Sequence, residues 1–206
     1  MKIGIISGSH RKESQSEKIG RYIAGQLASQ ELAADVYFYS LGGNPLPFWD
    51  EGIWQGDARW EEFLGELRSE VNSCDAFVSI SPEWHGMVPA GLKNFLLMFP
   101  GAGEMAHKPA LLVSVSAGGT GGAYPSAELR MSGYKNSRVC FMPEHLIVRN
   151  AGKVFNENPD DNDADIHDYL QARLLYCLEL LAEYGKAFTG IRESGKASLE
   201  TYKNGM

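Results

Sequence analysis

The order of apolar segments predicts a doubly wound α/β fold: a five-stranded parallel sheet, strand order 2-1-3-4-5, with helices on both faces. Three observations predict it. Short apolar runs of strand length alternate with longer stripes at helical spacing along the whole chain, the pattern that a parallel sheet with helical crossovers imposes. The runs Ala76 to Ile80 and Leu111 to Val115 are mostly apolar, as strands covered on both faces require. Right-handed crossovers then leave few topologies. In the order 2-1-3-4-5, the unusual loops 7–16, 81–91 and 114–122 converge beyond the carboxyl ends of the strands, where such sheets bind ligands.

Each element follows from its own pattern. Ile3, Gly4, Ile5 and Ile6 form the first strand. Ile19, Tyr22, Ile23 and Leu27 recur at helical spacing, and Ser14 with Glu17 has capping-box spacing at the start of that helix. Val36 to Tyr39, β-branched and aromatic, is the second strand. Trp60, Phe63, Leu64, Leu67 and Val71 make the next helical stripe before the third strand at Ala76. Leu92, Phe95, Leu96 and Phe99 predict a third helix, Ala127 to Tyr134 a further one, and Leu146 to Val148 the fifth strand. The acidic stretch Asn156 to Asp165 reads as an exposed loop. Ile166, Tyr169, Leu170, Leu174, Cys177, Leu178 and Leu181 form an amphipathic helix of about six turns that closes the domain.

Composition bounds the class. A chain of 206 residues with 44% hydrophobic content and no long apolar span suits one soluble domain over residues 1–206, with no membrane partner expected. The amino terminus carries a strand-length apolar run rather than a secretory leader, which makes the cytoplasm the expected location. Cys74, Cys140 and Cys177 are odd in number and far apart, so neither a disulfide framework nor a metal site is expected, and all three read as buried thiols. A net charge of -7 argues against nucleic acid as a partner.

The chemistry is concentrated in the three loops. Ser-Gly-Ser-His-Arg-Lys-Glu-Ser-Gln-Ser at 7–16 places hydroxyls and a guanidinium at a strand-to-helix turn. A helix start leaves backbone N–H groups unpaired and carries partial positive charge, so an anion such as a phosphate is stabilised there. Ser7, Ser9, Ser14 and Ser16 add donors and Arg11 adds full charge. Plain capping by Ser14 accounts for one hydroxyl of the four.

The second loop, Ser81 to Asn94, has prolines that stop one helix and start another. Trp84 either lines the edge of a planar ligand, with the backbone of Glu83 to Gly86 meeting polar ring atoms, or packs its own loop at the surface. His85 is an acid or base by type, while a histidine without a visible partner is more often structural or solvated. The third loop, Ser114 to Gly122, puts four glycines after a strand, which permits close approach of backbone to ligand and equally suits an ordinary turn. The GxGxxG and GxxxxGK[ST] phosphate-loop patterns are absent from the corresponding positions, which disfavours tightly held NAD or ATP.

These motifs together resemble the NAD(P)H-dependent FMN reductase family of flavodoxin-like proteins, which includes quinone and chromate reductases. The likeness runs from about residue 2 to about residue 150. Gly8, Ser9, Arg11 and Ser14 look like the family's FMN phosphate loop. Pro82, Glu83, Pro89, Gly91, Leu92, Lys93 and Asn94 resemble its Pro-Glu-Tyr-Asn-x-x-x-Pro-x-x-Leu-Lys-Asn loop. Ser116, Gly118, Gly121 and Gly122 look like the turn beside the flavin's pyrimidine edge. Departures fall at Ser16, often Asn in the family, at Trp84 for Tyr, and at His85 and Gly86 for Asn and an aromatic; Tyr124 replaces a frequent Arg.

The resemblance implies ping-pong hydride transfer from NADPH or NADH to bound FMN and on to a small-molecule electron acceptor such as a quinone. Ser9, Arg11, Ser14 and Ser16 would hold the phosphate; Pro82, Glu83, Trp84, His85 and Gly86 the ring; Ser116 and Gly118 its pyrimidine edge. No catalytic side chain is implied, because the cofactor carries the electron chemistry. A flavodoxin-type electron carrier without NAD(P)H activity is the alternative. A flavin-free hydrolase or phosphatase is a further one, unsupported by any GxSxG elbow. Phe48, Trp49, Trp54 and Trp60 cluster in sequence, an aromatic density that suggests a subunit interface. In the resembling family FMN lies near dimer interfaces and tetramers occur, with Arg130 and Glu144 like its interface charges, so a homodimer or homotetramer is expected.

Overall fold

A computed structural model describes residues 1–99, 103–200 and 202; the rest of the expected 1–206 domain lies outside the described residues. Five strands, β1 (Lys2–Ser7), β2 (Asp35–Ser40), β3 (Ala76–Pro82), β4 (Pro109–Val115) and β5 (Cys140–Val148), form one parallel sheet in the order β2-β1-β3-β4-β5. This is the expected order. Between them run α1 (Gln15–Ser29), the short α2 (Gly52–Gln55), α3 (Ala58–Ser73), α4 (Ala90–Leu97) and α5 (Ala123–Ser132), and α6 (Ala164–Glu193) follows β5.

Alternation along the strands sorts the core into two layers. Ile3 and Ile5 of β1, Val78 and Ile80 of β3, and Leu111 and Val113 of β4 face α1 and α6, burying Ile19, Ile23, Leu174 and Leu178. Ile6, Phe77, Ala110 and Leu112 face the other way, against Trp60, Leu64 and Leu67 of α3, Leu92 and Phe95 of α4, and Leu129 of α5. Each strand therefore presents helices on both faces, which is why the inner runs are apolar throughout.

Several boundaries differ from the sequence expectation. Helix α5 begins at Ala123 rather than Ala127, because Gly122 takes a φ of 96° and turns the chain straight into it. Strand β5 is nine residues long, not three. Pro143 and Glu144 obscured its pattern; the pairing of β4 with β5 shifts between Ala110 and Leu112, and this bulge on an edge strand accommodates the proline. Helix α4 ends at Leu97, although Phe99 stays buried beyond it. Helix α6 has 30 residues, longer than six turns. Its extension passes close to the chain's start at Gly185, where a Cβ would lie 2.5 Å from the Met1 sulfur. The acidic stretch is exposed at Glu157 to Asp161, and its Asp163 caps α6 by accepting from the Ile166 N–H at 3.3 Å.

Two expectations from composition are corrected in part. Cys74 and Cys177 are buried, whereas Cys140 is only half-buried. Of the four clustered aromatics, Trp60 belongs to the core and donates its indole N–H to Asp50 at 3.1 Å, leaving Phe48 and Trp54 as the exposed pair. Among the described residues no helix is long and apolar enough to cross a membrane.

Candidate functional site

The first loop leaves β1 at Gly8, whose N–H donates to the Ile80 carbonyl at 2.8 Å. A Cβ there would meet that oxygen at 2.6 Å and the Leu92 side chain at 2.7 Å, so only glycine lets the turn sit this close to β3 and α4. Ser9 is buried, and its hydroxyl accepts from the Arg11 N–H at 3.4 Å. Ser14 caps α1 by accepting from the Glu17 N–H at 3.1 Å. The reciprocal half of the capping box is not made: the Glu17 carboxylate takes Arg21 at 2.6 Å and the Ser40 hydroxyl at 2.9 Å, and Arg21 holds its pKa below the ordinary value.

Ser16, one residue inside the helix, is 1% exposed, and its hydroxyl has no hydrogen-bond partner among the described residues. A buried hydroxyl without a partner is costly. It sits at the positive end of α1, beside Arg11, whose side chain is exposed and forms no ion pair among the described residues. Both groups are thus available to an anion.

The second loop is a tight reversal. The Trp84 N–H donates to the Met87 carbonyl at 3.1 Å and the Met87 N–H returns to Trp84 at 2.9 Å, with His85 at φ 53° and Gly86 at φ 73° between them. Two central residues with positive φ define a type I′ turn. Its tip is exposed at His85, while Trp84 stays partly buried with its ring edge-on to His10, centroids 4.5 Å apart. Glu128, paired with Lys93, accepts from the Val88 N–H at 2.8 Å and ties the loop to α5. Asn94 ties the aromatic 47–49 segment to α4, accepting from the Trp49 N–H at 2.9 Å and donating to the Pro47 carbonyl at 2.8 Å.

The third loop is held from three sides. Gly118 accepts from the Asn150 N–H at 3.1 Å, Gly121 accepts from Arg149 Nε at 2.8 Å, and the Gly122 N–H donates to the Glu83 carboxylate at 2.7 Å. Here the structure redirects two sequence-predicted side chains. Glu83 fastens the third loop, and Ser116 packs within it, its hydroxyl oxygen 2.6 Å from where a Gly121 Cβ would stand.

The loops meet in a cleft of about 180 Å³ lined by Ser9, Arg11, Ser14, Gln15, Ser16, Pro82, Glu83, Trp84, Val115 and Ala117. It adjoins a depression of about 340 Å³ over Arg11, Glu13, Ser14 and Gln15. Seven of the predicted residues therefore converge: Ser9, Arg11, Ser14, Ser16, Pro82, Glu83 and Trp84. His85, Gly86, Ser116 and Gly118 lie outside its lining. The sequence reading missed Val115, Ala117, Arg149 and Asn150. Period-two alternation through Ser114 and Ser116 signals that Val115 and Ala117 turn to the opposite side; Arg149 and Asn150 had no signal, because they act on the loop from the end of β5. A larger cavity, about 740 Å³, lies at the other end of the sheet against Met1, Leu32 and Leu180 and gathers none of these groups.

An anion site at the first crossover, with two further loops framing a slot at the switch in strand order, fits a flavin mononucleotide. Buried donors at the start of α1 suit its phosphate, and the aromatic and apolar surfaces of Trp84, Val115 and Ala117 suit a planar ring. Fold and site thus define a flavodoxin-like flavoprotein.

The comparisons name the family. The profile of the family described as NADPH-dependent FMN reductase matches residues 1–153. An NADPH azoreductase of a Bacillus species is 28% identical over 179 residues, covering 85% of this chain and 92% of the relative. A quinone reductase of Pseudomonas putida is 29% identical over 176 residues, covering 82% and 89%. The solved structure of FerB, a flavoenzyme NAD(P)H:(acceptor) oxidoreductase from Paracoccus denitrificans, superposes with a TM-score of 0.72 at 21% identity, covering 91% of this chain and 98% of that one. The chain belongs to the NADPH-dependent FMN reductase family and is an FMN-dependent oxidoreductase.

Proposed function

We propose that the chain passes electrons from NADPH or NADH through FMN to a quinone or similar small acceptor, with the cleft described above as the flavin site. When bound, FMN supplies the hydride chemistry, taking a hydride from the pyridine nucleotide and delivering electrons to an acceptor that uses the same open face in turn. The protein's residues bind and orient. Ser9, Ser14, Ser16 and Arg11 hold the phosphate; Pro82, Glu83 and Trp84 border the ring, with the His85 and Gly86 tip at its outer rim; Ser116 and Gly118 lie toward its pyrimidine edge. No side chain needs to exchange a proton with substrate.

One observation carries this reading: the buried Ser16 hydroxyl, without a partner, at the positive end of α1 and in one cleft with Arg11 and Trp84. A quinone is favoured as acceptor because the similar proteins named as quinone reductase and 2-hydroxy-1,4-benzoquinone reductase span most of this chain. The exposed Phe48 and Trp54 supply an apolar face for a second copy, in a homodimer or homotetramer. Arg130, by contrast, spends its guanidinium within the chain, on the Pro143 carbonyl at 3.0 Å and the Glu144 carbonyl at 3.4 Å. We read residues 1–206 as one domain acting in the cytoplasm, where pyridine nucleotides are available.

An absorbance spectrum of the purified protein, taken before and after anaerobic NADPH, tests cofactor and reaction together. A flavin band that NADPH bleaches and a quinone restores is the expected result. A band that NADPH leaves unchanged would make the protein an electron carrier, and no FMN uptake would remove the reading altogether.

A further inference from the structure

The third loop contains one peptide unit gripped at both ends by opposite charges. The carbonyl of Gly121 accepts from Arg149 Nε at 2.8 Å, and the N–H of Gly122 donates to the Glu83 carboxylate at 2.7 Å. These two groups belong to the same planar peptide. Glu83 reaches it from the end of β3 and Arg149 from just beyond β5, so the loop following the intervening β4 is held between its two neighbours.

The polarity matters. Rotating this peptide by half a turn would set the carbonyl oxygen against the Glu83 carboxylate and the N–H against the Arg149 donor, two repulsions in place of two attractions. A glycine-glycine peptide is otherwise the easiest in a protein to rotate, because neither residue has a Cβ. Both glycines are required where they stand. A Cβ on Gly121 would meet the Ser116 hydroxyl oxygen at 2.6 Å and Glu83 Oε1 at 2.9 Å, and one on Gly122, at φ 96°, would meet the Ile147 side chain at 2.6 Å. Close packing thus demands the residue pair with the greatest rotational freedom, and the two charges remove that freedom.

We propose that Glu83 and Arg149 are positioning residues that lock the Gly121–Gly122 peptide in one orientation and so preset the glycine loop for the flavin. The inference rests on the assignment of the cleft to FMN. Glu83 contributes more than Arg149, because its bond is partly buried and the Arg149 side chain is exposed to water.

The test uses the full chain stripped of flavin, with E83Q, R149M and the double variant. In the ligand-free protein the Gly122 amide is expected to exchange its hydrogen at least tenfold faster in E83Q, as followed by NMR. On titration with FMN, the affinity is expected to fall about tenfold in E83Q and about threefold in R149M. The double variant is expected to lose less than the product of the two, since both charges act on one peptide. Unchanged Gly122 exchange in E83Q, alongside a wild type that binds FMN, overturns the lock and leaves the flavin assignment standing; so do strictly multiplicative losses of affinity. A wild type that takes no FMN overturns the assignment and the lock together.

Discussion

Replacing Ser16 by alanine should move stability and cofactor affinity in opposite directions. The Ser16 hydroxyl is 1% exposed and has no partner among the described residues. Burial without a hydrogen bond costs about 1–3 kcal/mol, and alanine is the better helix former by up to about 0.7 kcal/mol. Part of this gain is offset by the small void left where the oxygen was, so a net stabilisation of about 1 kcal/mol is expected for the flavin-free protein. In a chain of this size that raises the melting temperature by about 2–4 °C. In the FMN complex the same hydroxyl would donate to a doubly charged phosphate, a bond worth about 1.5–3 kcal/mol. Its loss, less the relief of desolvation, weakens FMN binding about tenfold. Differential scanning fluorimetry of the flavin-free variant with and without FMN reads both effects, because ligand stabilisation follows affinity. A flavin-free S16A that melts below wild type, or one that binds FMN as tightly, would refute the assignment of this hydroxyl to the anion.

Three further outcomes are expected. Arg11→Ala purifies with an unchanged melting temperature, since its exposed side chain forms no ion pair among the described residues, but weakens FMN binding more than any single serine variant, as flavin fluorescence titration would show. Burial pushes the Lys108 ammonium down to about 8. From about pH 8 to 9 the unfolded chain therefore holds a proton that the folded chain has released, and the urea midpoint rises with pH. Above that window burial of Cys74, raised to about 11, and of Tyr39, raised to about 12, acts in the opposite sense, because the folded chain then keeps protons that the unfolded one loses. Lys108→Met flattens the rise; an equal slope in the variant would refute its origin. Finally, Phe48→Ser with Trp54→Ser retains the fold and lowers the mass seen by light scattering, whereas a wild-type monomer would remove the proposed interface.

The sheet was legible because its signals are local: runs of strand length, helical stripes, and the alternation that assigns each residue to a face. Elements whose form depends on partners distant in sequence were not. Strand β5 hides behind Pro143 and Glu144, because an edge strand with a bulge need not show a clean apolar run. The start of α5 depends on the positive φ of Gly122, which the neighbouring glycines masked. Trp60 read both as the head of a helical stripe and as one of the clustered aromatics; the fold buries it with the stripe and supplies Asp50 for its indole. Within the site, the serine-rich turn carried its meaning openly, since hydroxyls and a guanidinium before a helix have few other uses. Arg149 carried none, because its role depends on a glycine carbonyl 28 residues earlier.

The charged and amide side chains of the second motif also act differently from what a list of ligand contacts would suggest. Glu83 fastens the third loop, Lys93 pairs with the Glu128 that accepts from the Val88 N–H, and Asn94 secures the Pro47 to Trp49 segment. Each joins a loop at the carboxyl end of the sheet to a different neighbour. Their side chains hold backbone in place, and backbone is what a flavin's polar edge would meet. On the proposed assignment, the departures at His85 and Gly86 then leave the flavin's anchors in place. They occupy the tip of a type I′ turn closed by Trp84 and Met87, outside the cleft lining, and the anchoring residues on either side keep their partners. Gly86 has the positive φ such a tip requires without strain, while His85 adopts it at a conformational cost of about 1–2 kcal/mol for a residue with a side chain. On the proposed assignment, variation at this tip is expected to change what a substrate touches at the rim without loosening the cofactor's seat.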